Sequence, residues 1–277
     1  MFFFGHMEKR WWIVIGLALS IVLPLSFGIY KKTNAEKIEG MIYISSGEFL
    51  KGTEKARSID RVMRYPEREI SLRPEEFPKK SVFVKGFYID KYEITNGGYL
   101  DFVKETGHRP PRHWKDGMYP IGKKDFPVVN VSFSDALGYA VWAGKRLPTE
   151  DQWEKAAAGE GGRMFPWGDE FDARMTNTWE SGIREPTRVD KYEEGKSPYG
   201  VFGMGGNVME WTGTPGEAPN EHLSVIKGGS WASDAFDARL QSKVLAATDI
   251  VTNGLGFRCA YSPLSDLLIQ RVRVLLQ

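Results

Sequence analysis

Residues 11–30 read WWIVIGLALSIVLPLSFGIY, twenty consecutive positions without a charged side chain. No other feature restricts the chain as much, because such a run has no stable place facing water. A helix of about 20 residues spans the roughly 30 Å hydrocarbon core of a bilayer. Lys9 and Arg10 precede the run, and Lys31 and Lys32 follow it. Trp11, Trp12 and Tyr30 stand where interfacial aromatics belong. The competing reading is a secretory signal peptide. The run is longer than an h-region, and no small-x-small cleavage site follows Tyr30. Pro24 is tolerated in a membrane span. The sequence predicts an uncleaved signal anchor at 11–30, behind a cytoplasmic tail at 1–10. The short basic lead places the rest of the chain on the periplasmic or extracellular side of the inner membrane.

The remaining chain is ordinary for a globular protein in its apolar and charged content, but it carries nine Trp, thirty Gly and fifteen Pro. That composition points to many turns held by aromatic packing. A formal net charge of +1 provides no basic field for nucleic acid. The single cysteine, Cys259, excludes an internal disulfide and any zinc or iron–sulfur site built on several thiolates.

Residues 31–40 read as a polar linker, followed by a short strand at 41–44 and a turn at Gly47 into a second. Residues 53–80 are charged and contain three prolines, which predicts a surface loop. Residues 81–94 predict one strand bent at Lys85-Gly86. Three short helices have readable ends. Thr95 or Asn96 opens the first, which stops at Gly107; Ser134 opens the second, which stops at Gly144. Thr149 and Gln152 form a capping box for the third, which stops at Gly159. Beyond it the pattern predicts mainly loops. From Leu264 to Gln277, Leu and Val recur near helical spacing, predicting an amphipathic helix that needs a surface to cover its apolar face.

Six ordered blocks then carry a resemblance. They are FYIDKYEITNGGYLDFV (87–103), FPVVNVSFSDALGYAVWAGKRLPTEDQWEKAA (126–157), FPWGDE (165–170), GGNVMEWT (205–212), KGGSW (227–231) and GFRCA (256–260). Together they resemble the formylglycine-generating enzyme, or sulfatase-modifying factor, family. The resemblance implies a single α+β domain over residues 41–263, related to C-type-lectin-like folds and poor in regular structure.

In the oxidases of that family, two cysteines five residues apart, just past GGSW, bind copper and attack a substrate thiol. The resemblance places Ser233 and Ala238 at those positions. A hydroxyl is not a soft ligand, and alanine has no donor, so formylglycine generation is not expected. Cys259 lies in another element and reads as a small buried hydrophobe. A second branch of the family binds iron through three histidines. The four here, His6, His108, His113 and His222, form no HxxxH pattern, and the one HxE, His6-Met7-Glu8, lies before the apolar run.

Calcium is the one cofactor the resemblance leaves open. One set of matching positions is Asn177 with the Thr178 carbonyl. The other is Glu210 with the Gly206 and Val208 carbonyls. Calcium takes six to eight oxygens, with carboxylates supplying charge. Gly203 stands where the second set needs a side-chain oxygen, and the loop between Glu180 and Pro186 is shortened where the first needs an acid. Asn177 and Glu210 are then expected to be satisfied by backbone N–H groups.

Two classes of function follow. In the first, the chain is a membrane-anchored accessory subunit or binding module of a larger membrane complex, a respiratory complex being one candidate, with other subunits and the membrane as partners. In the second, it is an enzyme of unrecognised chemistry, an oxidoreductase or protein-modifying factor, using a cleft of Ser233, Asp234, Asp237 and Arg239. The two aspartates would be its acid–base pair. The missing thiols favour the first class.

Overall fold

The computed structural model of the chain describes residues 38–54, 76 and 78–262. The expected tail and anchor, nearly all of the linker, most of the loop at 53–80 and the expected helix at 264–277 lie outside the described residues. Among the described residues, no helix is long and apolar enough to cross a membrane.

Gly40–Tyr261 forms one compact unit that mixes helix and sheet. Strands β1 (Met41–Ile44) and β4 (Phe87–Asp90) pair antiparallel, and β9 (Ala260–Tyr261) joins the other edge of β4. The first and last strands of the unit thus flank the same strand. β2 (Gly47–Lys51) and β3 (Lys80–Val84) form a separate antiparallel pair. The single bent strand expected over 81–94 is therefore two strands in two sheets. The Ser46 hydroxyl accepts from Gly86 N (2.7 Å) at the break between them.

Helix α1 (Asn96–Thr106) starts with the Thr95 hydroxyl accepting from Gly98 N and ends at Gly107, left-handed at φ 71°. Helix α2 (Phe133–Trp142) is capped by Ser132, not Ser134. A capping box needs a polar partner three residues on. Ser132 has Asp135, whose carboxylate returns to Ser132 N (2.9 Å), whereas Ser134 would have only Leu137. Helix α3 (Glu150–Ala158) has the expected Thr149–Gln152 box and stops at Gly159.

The segment beyond α3 holds more order than its pattern suggests. Strands β5 (Met209–Pro215), β6 (Leu223–Lys227), β7 (Lys243–Ala247) and β8 (Leu255–Phe257) build a four-stranded sheet in the order β7-β6-β5-β8. β5 and β8 run parallel. Glu210, Trp211 and Thr212 are all buried, so β5 is covered on both faces and shows no alternation.

Three apolar clusters form the core of the described residues, two of them large. In one, Tyr99 stacks on Tyr139 (5.8 Å) and meets Phe257 edge-on, and Trp211 donates to the Val131 carbonyl (3.0 Å). The other gathers Phe49, Phe87, Trp153, Met204 and Leu240. Losing one such ring costs about 3–5 kcal/mol.

Candidate functional site

The positions matched to the family's cysteines lie in the turn-rich segment that follows β6. Gly228 and Gly229 open it with φ of 96° and 63°. A Cβ on Gly229 would stand 2.9 Å from the Ala238 Cα, so this doublet lets the two ends of the segment touch. Ser230 and Ser233 then close a turn. Ser233 Oγ accepts from Ser230 N (3.0 Å), and Ser230 O accepts from Ser233 N (3.0 Å). Asp234 Oδ1 accepts from the backbone N of Phe236 and Asp237 (3.1 Å each) and shapes the next turn.

These contacts decide what the four cleft residues can do. Ser233 helps close its own turn, and among the described residues no histidine hydrogen-bonds to its hydroxyl; His108 is held by Asp135 and His113 by Asn130. A serine nucleophile needs such a base. Asp234 organises backbone. Arg239 is not a cleft residue at all. It is wholly buried, with Nη1 and Nη2 donating to Glu76 at 2.8 and 3.2 Å. Ala238 is likewise 0% exposed. Of the proposed cleft group, only Ser233, Asp234 and Asp237 reach intermediate exposure, and two of these shape turns.

A shell that the sequence did not reveal borders this segment. Trp179 N donates to Ser233 O (2.8 Å), and Ala235 N donates to Glu180 Oε1 (2.9 Å). Trp179 is 51% exposed, with the Arg184 guanidinium 3.2 Å from its ring centroid. Arg184 falls in the stretch that the sequence marked only as a shortened loop, and Trp179 and Glu180 border it. The tryptophan and arginine were its sole chemical signal.

Beneath the segment lies a buried charged lattice. Arg258 donates from Nε and Nη2 to Glu210 (2.7 and 2.6 Å), and Trp153 Nε1 donates to the same carboxylate (2.9 Å). Asp90 takes Lys145 (2.5 Å) on one oxygen and Cys259 N (2.8 Å) on the other. Lys227 pairs with Glu154 (2.9 Å). Glu93 accepts from Asn207 Nδ2 (2.8 Å) on Oε1, while its buried Oε2 has no partner. Burial is the main cause that lifts the Glu93 carboxyl to about 7; Arg258 opposes the shift and Glu210 adds to it. Burial, then Asp90, pushes the Cys259 thiol well above its ordinary range, so it is inert.

The calcium positions do not fit the ion. In the first set, the Ser181 hydroxyl lies 2.9 Å from Asn177 Oδ1 and 2.8 Å from Thr178 O, between the two oxygens a cation would bridge. Asn177 Nδ2 donates to Glu185 O and Asn207 Oδ1. In the second set, Glu210 is neutralised by Arg258, and a Cβ on Gly203 would overlap the Glu93 carboxylate. The unpaired carboxyl oxygen at this set, Glu93 Oε2, belongs to a buried group lifted to about 7, so Gly206 and Val208 gain no fully charged carboxylate beside them. Side chains, rather than the expected backbone N–H groups, satisfy Glu210, and the Asn177 amide bonds the Glu185 carbonyl and the Asn207 and Ser181 side chains instead. Among the described residues no three His, Cys, Asp or Glu side chains gather as a metal site.

Known proteins resemble this chain in sequence and in fold. The chain is 28% identical over 305 aligned residues to the inactive C-alpha-formylglycine-generating enzyme 2 of Bos taurus, covering 89% of this chain and 97% of that protein. It is 30% identical to the protein YfmG of Bacillus subtilis, over 86% of this chain and 59% of that one. Among solved structures, PvdO from Pseudomonas aeruginosa superposes with a TM-score of 0.63 at 26% identity, over 80% of this chain and 94% of its own. The model of the sulfatase-modifying factor enzyme 1-like domain matches residues 26–263, and the chain belongs to that family.

Proposed function

We propose that this chain is a non-catalytic, membrane-anchored member of its family that serves as an accessory subunit or binding module. The observation that carries the reading is Ala238. It stands where the family's oxidases hold a thiolate, it has no donor atom, and it is sealed from solvent. Ser233, at the partner position, is tied into its own turn. Similarity to a relative described as inactive agrees with this. The enzyme alternative loses Arg239 to Glu76 and gains no base near Ser233.

The apolar run at 11–30 attaches the module to the inner membrane, with the globular part outside. The amphipathic tail at 264–277 binds a neighbouring subunit of a membrane complex. Mild-detergent extraction followed by mass spectrometry of co-purifying proteins tests this. A defined set of subunits, lost on deletion of 264–277, is the expected result. A lone monomer with and without that tail sinks the subunit reading.

A further inference from the structure

We propose that Arg184, stacked on Trp179, is a carboxylate-binding site for an acidic peptide segment of a partner protein. The inference rests on the binding-module reading above and gives that module a ligand class.

Three arginines of this unit close the Nε–Nη2 edge on a carboxylate, while Arg112, Arg163 and Arg184 leave it open among the described residues, and of these only Arg184 is stacked on an aromatic ring. Arg174 offers it to Asp172 (3.0 and 2.7 Å), Arg188 to Asp190 (3.0 and 2.9 Å), and Arg258 to Glu210 (2.7 and 2.6 Å). Arg184 has no acceptor on that edge among the described residues. Its neighbour Glu185 turns away to Lys123 (3.2 Å). The unfilled fork is also held in place. Arg184 Nη1 donates to Trp179 O (2.6 Å), and the guanidinium lies 3.2 Å from the indole centroid. An arginine fixed in this way loses little freedom on binding, and its planar fork matches a carboxylate.

The backbone supports the same conclusion. Arg184 sits at φ 67°, where a side chain other than glycine is strained, and such outliers concentrate at functional sites. The pair is fastened to the segment that carries Ser233 and Ala238, through Trp179 N to Ser233 O and Glu180 to Ala235 N.

The number of open cations selects the ligand. A phosphate carries nearly two charges near neutral pH and calls for several cations. The flanking arginines Arg174 and Arg188 are already neutralised by Asp172, Asp190 and Asp125. One open fork above one aromatic ring suits a single carboxylate.

The test uses the full chain in a non-ionic detergent, with 15N-labelled arginine. The probe is the capped peptide acetyl-Gly-Glu-Gly-Glu-Gly-amide. The Arg184 Nε–H resonance should shift to saturation with this peptide and stay still with its Gln counterpart. R184K should weaken binding on the order of tenfold, the size of a lost charge-assisted hydrogen bond, and W179A by several-fold. The Arg258 Nε–H signal, locked on Glu210, reports that each variant is folded. An unmoved Arg184 resonance, or equal binding by R184K, overturns the site. Tighter binding of a phosphoserine counterpart overturns the choice of carboxylate. If the peptide fails while co-purifying subunits remain, this site is wrong and the module reading stands.

Discussion

Arg239 and Glu76 form a two-point ion pair whose side chains are both 0% exposed, although 163 residues separate them in the chain. Arg239 Nε also donates to Phe236 O (2.8 Å), so the guanidinium is held on two sides. Removing one partner leaves the other charge buried and uncompensated. Glu76→Ala should therefore cost about 3–5 kcal/mol of stability, while a double replacement by Leu at 76 and Met at 239 should recover most of it. Urea unfolding of the wild type and the two variants measures both values. If the single and double variants are equally unstable, the pair is not what holds the segment.

Glu93 should make stability fall as pH rises. Its unfolded value is the ordinary 4.5, and burial lifts it to about 7 in the folded chain. Between those values the folded state holds a proton that the unfolded state has released. The stabilisation is complete below about pH 4.5 and is lost as pH climbs through about 7, with a full loss of about 3 kcal/mol. Glu93→Gln keeps an acceptor for Asn207 and removes the titration. Urea midpoints from pH 5 to 8 should fall for the wild type relative to the Gln variant. Parallel curves would show that Glu93 does not hold that proton.

Calcium should not stabilise the protein. Ser181 Oγ already stands between Asn177 Oδ1 and Thr178 O, and Arg258 already neutralises Glu210. An ion held a hundredfold above its Kd would add about 2.7 kcal/mol, several degrees in Tm for a domain of this size. Melting in millimolar calcium and in EDTA should agree within a degree. A shift of several degrees would mean that Ser181 yields to the ion.

The contrast between these residues explains how much the sequence could tell. Thr149, Gln152 and Gly159 act within one turn of helix, so local chemistry reveals them. Ser132 was missed by two residues because Ser134 is also a good cap, and only the acid at 135 distinguishes them. Strand β5 hid because Glu210 to Thr212 are buried on both faces, with the charge of Glu210 cancelled by a residue 48 positions away. Arg239 read as a cleft residue for the same reason: its partner Glu76 sits in a charged loop, and no spacing rule links the two. The six blocks gave the family, while the partners of individual charges needed the fold.

Gly229 offers a test of the site's closure that separates strain from crowding. Its φ of 63° alone should cost an L side chain about 1–2 kcal/mol. Gly117, at φ 72°, pays the same strain, and a Cβ there meets nothing within 4 Å. At Gly229 the added Cβ would press on backbone, 2.9 Å from Ala238 Cα and 3.2 Å from Ala238 N. Backbone in a packed interior moves at a cost of about 1–3 kcal/mol more. Gly229→Ala should therefore lose about 2–5 kcal/mol against about 1–2 kcal/mol for Gly117→Ala. The same push would move Ala238 and, through it, Arg239 against Glu76. The destabilisation by Gly229→Ala should thus shrink in a background where the Arg239–Glu76 pair is already replaced by Met and Leu. Additive losses in that cycle would mean that the glycine doublet and the buried ion pair hold the segment independently.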